Sequence, residues 1–193
     1  MTETDLRKSE TYDRLQCAVF LKTKEKWGGL SNMAGEFPLR VNGIDIRTAE
    51  ALYQCCRYPD DPETQRWVLD QKSPMWTKKV PGRDRRSRAD WNAIRVDVMR
   101  WCLRVKLAQH LEEFGALLWI TEQRPIVEES GKDDFWGTFA QENRTLVGSN
   151  VLGKLLMELR AEFKTGDRNR LKSVQPLSIP NFRLLGEGIG VVG

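Results

Sequence analysis

Three side chains in this sequence have the type and setting to do covalent or acid–base work. Glu50 lies in Thr48-Ala49-Glu50-Ala51-Leu52-Tyr53-Gln54-Cys55-Cys56-Arg57. Helical spacing there sets Tyr53, Gln54 and Arg57 on the face of Glu50, opposite an apolar face of Ala49, Leu52 and Cys56. A carboxylate ringed by Tyr, Gln and Arg reads as a polar pocket floor; without a pocket it merely complements the helix dipole. Asp133 opens Asp133-Asp134-Phe135-Trp136-Gly137, which joins carboxylates to a flat aromatic surface. Trp136 is suited to stacking on a base, or else to plugging the core. Lys106 follows Cys102 by four residues and Met99 by seven, on the edge of a long apolar helix face. If desolvated, its amine has a lowered pKa and is a nucleophile; if it snorkels, it is neither.

Other segments are suited to holding a ligand. Trp27-Gly28-Gly29-Leu30-Ser31-Asn32 combines glycines, which permit close backbone approach, with two short hydrogen-bonding side chains; taken alone it is a turn. Gly148-Ser149-Asn150 leads into a helix start whose N–H groups suit a phosphate. The net charge is only +4, from 31 basic and 27 acidic residues, so charge is informative only locally. Lys78, Lys79, Arg83, Arg85, Arg86 and Arg88 stand against the single acid Asp84, a density that can neutralise phosphates or simply make a solvated loop.

Several chemistries are set aside. The single histidine, His110, excludes most His-rich metal sites, and Cys17, Cys55, Cys56 and Cys102 match no zinc spacing, so no metal or cofactor is expected. No apolar run approaches the roughly 20 residues needed to span a bilayer, and the first residues lack the pattern of a signal peptide. The thiols therefore read as reduced, in a cytoplasm. With 40% hydrophobic residues the chain of 193 has enough apolar material for a real core.

The elements that must position these groups follow from pattern. Residues 1–16 are polar and expected to fray, and Cys17–Leu21 reads as a buried strand. Asn42-Gly43 between Leu39, Val41 and Ile44, Ile46 signals a hairpin. Thr48 caps a helix running to about Arg57, and Pro62 opens another to Leu69. Asp90 caps the longest helix, to about His110, on Ile94, Val98, Trp101, Val105 and Ala108. A helix over Leu111–Ile120 with a break near Gly115, a strand at Ile126–Glu128 and a helix from Asn150 to Phe163 complete the body. The fold class is α+β with helix dominant. The domain spans 17–163, and residues 164–193 form a tail packed on it.

The ordered set Gly29-Leu30-Ser31-Asn32, Thr48-Ala49-Glu50, Tyr53-Gln54, Ser73-Pro74-Met75, Gly82-Arg83-Asp84-Arg85, Trp91, Met99, Lys106, Val127-Glu128, Asp133-x-Phe135-Trp136-Gly137, Gly148-x-Asn150 and the run Leu152–Arg160 resembles the NADAR family across about residues 19–163. The resemblance implies a helix-rich α+β domain that cleaves N-glycosidic bonds without a metal. Some members act on riboflavin-pathway intermediates; others are antitoxins that remove ADP-ribose from guanine in DNA. Glu50 matches the catalytic glutamate, and Asp133 and Trp136 match the Asp-x-aromatic-Trp-Gly pocket element. Ala51 stands where the family usually has His, and Arg57 where it often has Lys, which points away from the riboflavin subgroup.

Breaking a C1′–N bond builds positive charge on the sugar, which a carboxylate stabilises while it, or a second carboxylate, activates water. Glu50 with Asp133 or Glu128 is the expected pair. An alternative captures the opened sugar's aldehyde on Lys106 or Lys79. Substrate contacts are expected from Ser31, Asn32, Tyr53, Gln54, Arg57, Lys79, Arg83, Trp91, Trp136, Gly137 and Asn150. The leading expectation is removal of ADP-ribose from guanine of single-stranded DNA, releasing ADP-ribose and reversing a cognate toxin. A small phosphorylated ribosylamine as substrate, and a non-catalytic ADP-ribose-binding module, are the alternatives.

Overall fold

The computed structural model describes residues 3–78 and 87–193. In chain order these form α1 (Glu3–Arg7), β1 (Glu10–Asp13), β2 (Ala18–Phe20), β3 (Leu39–Val41), β4 (Ile44–Ile46), α2 (Ala49–Cys56), α3 (Pro62–Asp70) and α4 (Pro74–Thr77). There follow α5 (Trp91–Gln109), α6 (Glu113–Trp119), β5 (Ile126–Glu128), β6 (Phe139–Ala140), β7 (Thr145–Gly148), α7 (Val151–Thr165), α8 (Arg168–Leu171), β8 (Arg183–Leu184) and β9 (Glu187–Gly188). The class is α+β, with helix dominant and the strands in small separate sheets. The chain divides into two units, residues 1–31 with 112–167, and residues 32–111 with 168–193.

In the first unit β2 runs parallel to β5, pairing Ala18 with Ile126 and Phe20 with Glu128. β7 is flanked by β1 and β6, both antiparallel. Tyr12, Cys17, Val127 and Leu146 pack together as one apolar cluster of this unit. Within the segment expected to fray, residues 5–13 are therefore held by the fold. Leu6 is buried, β1 pairs along its whole length with β7, and the buried Lys154 ammonium binds the carbonyls of Asp5, Leu6 and Lys8. One ammonium from α7 thus binds carbonyls in and just beyond the end of α1. Nor does α6 break at Gly115: a Cβ there would lie 2.4 Å from the Phe163 ring, so glycine serves the close approach of α6 to α7.

In the second unit the β3–β4 hairpin turns through Asn42 and Gly43, both at positive φ (50° and 76°), as a two-residue turn between twisted strands requires. The Thr48 hydroxyl accepts from Ala51 N at 3.1 Å and starts α2. α2 packs against α3, α4 and α5 and is buried on every side, so its expected polar face does not meet water. Asp90 does not cap α5 with its side chain; its carboxylate instead takes Nε and Nη2 of Arg88 at 2.6 and 3.0 Å. Residues 168–193 pack within this unit. Phe182 meets Trp101 edge-on at 4.9 Å, the Trp101 indole donates to the Gln175 carbonyl, and buried Gln65 binds the backbone at Arg183 and Leu185.

Candidate functional site

Glu50 sits in the first turn of α2 with 1% of its surface exposed. Its backbone N–H donates to the Asn32 carbonyl at 2.9 Å. A buried carboxylate is stable only when its lone pairs are used. Here Asn32 Nδ2 donates to Oε2 at 2.5 Å, Gln54 Nε2 donates to Oε1 at 2.8 Å, and the Lys78 ammonium stands 3.8 Å from Oε1. Gln54 reaches Glu50 because it lies one turn further along the same helix. Asn32 Nδ2 also lies 3.8 Å from the Met99 sulfur of α5. Burial pushes the Glu50 carboxyl above its ordinary pKa, while Lys78, Gln54 and Asn32 pull the other way without cancelling it. The result is an acid whose charged form burial disfavours and whose side chain is shielded from bulk water.

Around this centre the structure brings together more of the expected residues. The Tyr53 and Trp91 rings lie 4.8 Å apart, and burial with the nearby Glu50 charge keeps the Tyr53 phenol protonated. The Arg57 guanidinium lies 5.9 Å from the Trp91 ring and 5.6 Å from that of Tyr58. Cys55 and Cys102 are buried thiols whose pKa values burial raises, which makes them poor nucleophiles.

Lys106 is buried, and burial lowers its amine to about pKa 7 against the opposing pull of Glu36. It lies over the Phe37 ring at 4.6 Å. It stands two turns beyond Met99 on α5, and the ammonium recorded 3.8 Å from Glu50 is a different one. That place belongs to Lys78. The sequence marks Lys78 only as one of a run of cations, and no spacing rule links positions 32, 50 and 78. Lys79 and Arg83 lie outside the described residues.

The first unit holds the remaining expected residues. Ser31 is buried at the end of the turn over Gly28–Leu30 and donates its N–H to the Gly28 carbonyl. Asp133 Oδ1 accepts from the N–H groups of Phe135 and Trp136 at 3.0 and 2.9 Å, so one carboxylate oxygen is spent folding its own loop. Trp136 is half-buried, edge-on to Phe135 at 5.1 Å. Gly137 is buried, and a Cβ there would come within 2.9 Å of the Glu128 carbonyl.

Asn150, expected at a phosphate-binding helix start, has another task. It adopts positive φ (50°), accepts from Glu128 N through Oδ1 and donates to the Ile126 carbonyl through Nδ2. The N–H groups of Val151 and Leu152 donate to the carbonyls of Phe135 and Trp136. Protein carbonyls thus take the first donors of α7, where an anion was expected, and the start of α7 ties the Asp133 loop and β5 together.

Among the described residues no group of three or more His, Cys, Asp or Glu side chains is placed to hold a metal ion, and no helix is long and apolar enough to cross a membrane.

A buried carboxylate clamped by two amides and an ammonium, on a helix-dominant α+β fold, defines a class of candidate hydrolase. The family model for the NADAR domain matches residues 19–164, and the chain belongs to the NADAR family. Among its relatives is N-glycosidase YbiA of Escherichia coli K12, 34% identical over 145 residues covering 74% of this chain and 86% of that protein. A riboflavin biosynthesis protein of Vibrio vulnificus is 31% identical over 152 residues, 77% of this chain and 39% of that one. The NMR structure of E. coli YbiA superposes with a TM-score of 0.63 at 30% identity, covering 79% of this chain and 90% of that one.

Proposed function

We propose that this protein is a hydrolase that cuts the C1′–N bond of a phosphorylated ribosyl compound, with Glu50 as the reacting acid. The arrangement of Asn32, Gln54 and Lys78 about the buried Glu50 carboxylate carries this reading. As the bond to nitrogen lengthens, its electron pair leaves with the base and positive charge gathers on the sugar ring. The carboxylate stabilises that charge and takes a proton from the water whose oxygen bonds to C1′. The departing nitrogen gains a proton, so one water is consumed and the free base and sugar hemiacetal are released. Asn32 and Gln54 orient the carboxylate for this step. Lys78 neutralises it between turnovers, and is the amine available if the opened sugar forms a Schiff base.

The substrate we assign is ADP-ribosylated guanine in single-stranded DNA, with ADP-ribose as product, reversal of a DNA ADP-ribosyltransferase toxin as the role and the cytoplasm as the setting. Lys78, which faces Glu50, also begins the run of cations in the sequence up to Arg88, a composition suited to a polyanion. Ala51 and Arg57, at positions where the family pattern usually has His and Lys, also support this choice. A second reading, a small phosphorylated ribosylamine, draws support from the names of the curated relatives.

Wild type and Glu50→Gln are to be assayed on an oligonucleotide carrying ADP-ribosyl guanine and on the ribosylamine phosphate. Release of ADP-ribose by wild type alone supports the first reading. Turnover of the ribosylamine alone moves the assignment to the second. Tight ADP-ribose binding with no turnover of either makes the protein a binding module.

A further inference from the structure

The geometry points to a phosphate-binding subsite formed by Arg57 and Arg88, an inference that rests on the phosphorylated substrate proposed above. The Arg88 side chain is only 6% exposed. Its Nε and Nη2 bind the two oxygens of Asp90, and Nη2 also donates to the Pro180 carbonyl at 2.7 Å. These bonds fix the plane of the guanidinium, and because that group is rigid they fix the direction of its remaining nitrogen. That nitrogen, Nη1, is buried and has no partner among the described residues.

Arg57 shows the same feature. Its Nε is buried without a partner among the described residues, while its guanidinium lies over the rings of Tyr58 and Trp91. Arg88 N donates to the Arg57 carbonyl at 3.0 Å, which sets the two residues side by side. Buried polar groups in folded proteins are almost always hydrogen-bonded, and guanidinium N–H groups left over on two residues whose backbones are bonded to each other ask for an acceptor. A phosphate or pyrophosphate offers several oxygens and the negative charge that two arginines and one aspartate leave uncompensated.

The position suits a ribosyl phosphate. Arg57, the residue that caps α2, follows Glu50 by seven residues, about two turns, so the two α-carbons lie on one side of the helix about 10 Å apart along its axis. An acid at the anomeric carbon and a cation at the phosphate of the same sugar need that order.

The test is direct binding by the full-length protein, measured calorimetrically at constant ionic strength, with inorganic pyrophosphate, ADP-ribose and adenosine as probes. Wild type should bind pyrophosphate, and pyrophosphate should compete with ADP-ribose. Arg57→Gln and Arg88→Lys should each weaken pyrophosphate and ADP-ribose by about tenfold or more, the loss of one charge-assisted hydrogen bond, and leave adenosine unchanged. Failure of pyrophosphate to compete, or ADP-ribose binding by Arg57→Gln equal to wild type, overturns the subsite. Arg88 also ties Asp90 to the Pro180 carbonyl, so if Arg88→Lys melts early, Arg57→Gln decides alone. Because binding is read without turnover, full activity in Glu50→Gln would end the catalytic reading and leave this result standing, while a failed competition with Glu50-dependent turnover would end only the subsite.

Discussion

The side-chain amide of Asn32 donates to the Glu50 carboxylate at 2.5 Å across eighteen residues of sequence. The same residue's carbonyl accepts the Glu50 backbone N–H, so Asn32 grips both the main chain and the carboxylate of that acid. Removing that amide takes away a donor that favours the charged form and should raise the Glu50 pKa further. With the carboxylate as the working form, the acid limb of the pH–rate profile of Asn32→Ala should move to higher pH. Measuring kcat/KM from acid to neutral pH checks this. An unmoved limb would mean that Glu50 does not set it.

Glu50→Gln keeps the size of the side chain and removes its charge. Turnover should fall by about 10²–10⁴, the usual contribution of a positioned acid or base. The melting temperature should hold or rise, because a neutral amide avoids the desolvation cost of a buried carboxylate. Product chromatography and a thermal melt on one preparation test both halves.

Lys106 gives stability a pH dependence of defined sign. Its folded pKa is about 7, against an ordinary value of 10.5. Between those values the unfolded chain holds a proton that the folded one has shed, so stability rises with pH across the interval. Below it the amine is charged in both states, and the penalty of burying that charge is complete. Lys106→Met should therefore stabilise the protein most below neutral pH, and the gain should shrink as pH climbs towards 10. Denaturant titrations of both proteins at acid and alkaline pH give the comparison, and an equal gain at both would contradict it.

Gly153 lies inside α7, where alanine is ordinarily worth about 1 kcal/mol in helix propensity. A Cβ there would stand 2.1 Å from the Ile126 carbonyl and 2.4 Å from Asn150 Oδ1. Gly153→Ala should thus destabilise by about 1–3 kcal/mol, the range of overpacked cores. Equilibrium unfolding reads the sign, and a more stable variant would show that α7 and β5 can part at little cost.

Phe182→Ala removes the ring that meets Trp101 edge-on. A loss of about 3 kcal/mol is expected from truncating a buried aromatic. A variant as stable as wild type would mean that residues 168–193 contribute little to the second unit.

Local rules were enough to read much of this protein from its sequence. Asn42-Gly43 forces a tight hairpin because both positions must take positive φ, Thr48 starts α2 through its own hydroxyl, and the apolar spacing from Ile94 to Ala108 specifies a helix wherever it lies. These signals act within a few residues, so the sequence carries them whole. Glu50 was visible too, as an acid in a helix whose neighbours are polar.

Its environment was not. Burial of both faces of α2, the amide of Asn32 and the ammonium of Lys78 come from segments far apart in the chain, and no spacing encodes their meeting. The N-terminal residues look frayed until Lys154 and β7 supply partners, and the start of α7 looks open until the Phe135 and Trp136 carbonyls take its first donors. Sequence determined which groups exist and which local shapes they favour. The tertiary structure alone decided which are dry and paired, because desolvation and long-range hydrogen bonding depend on what the rest of the chain places next to them.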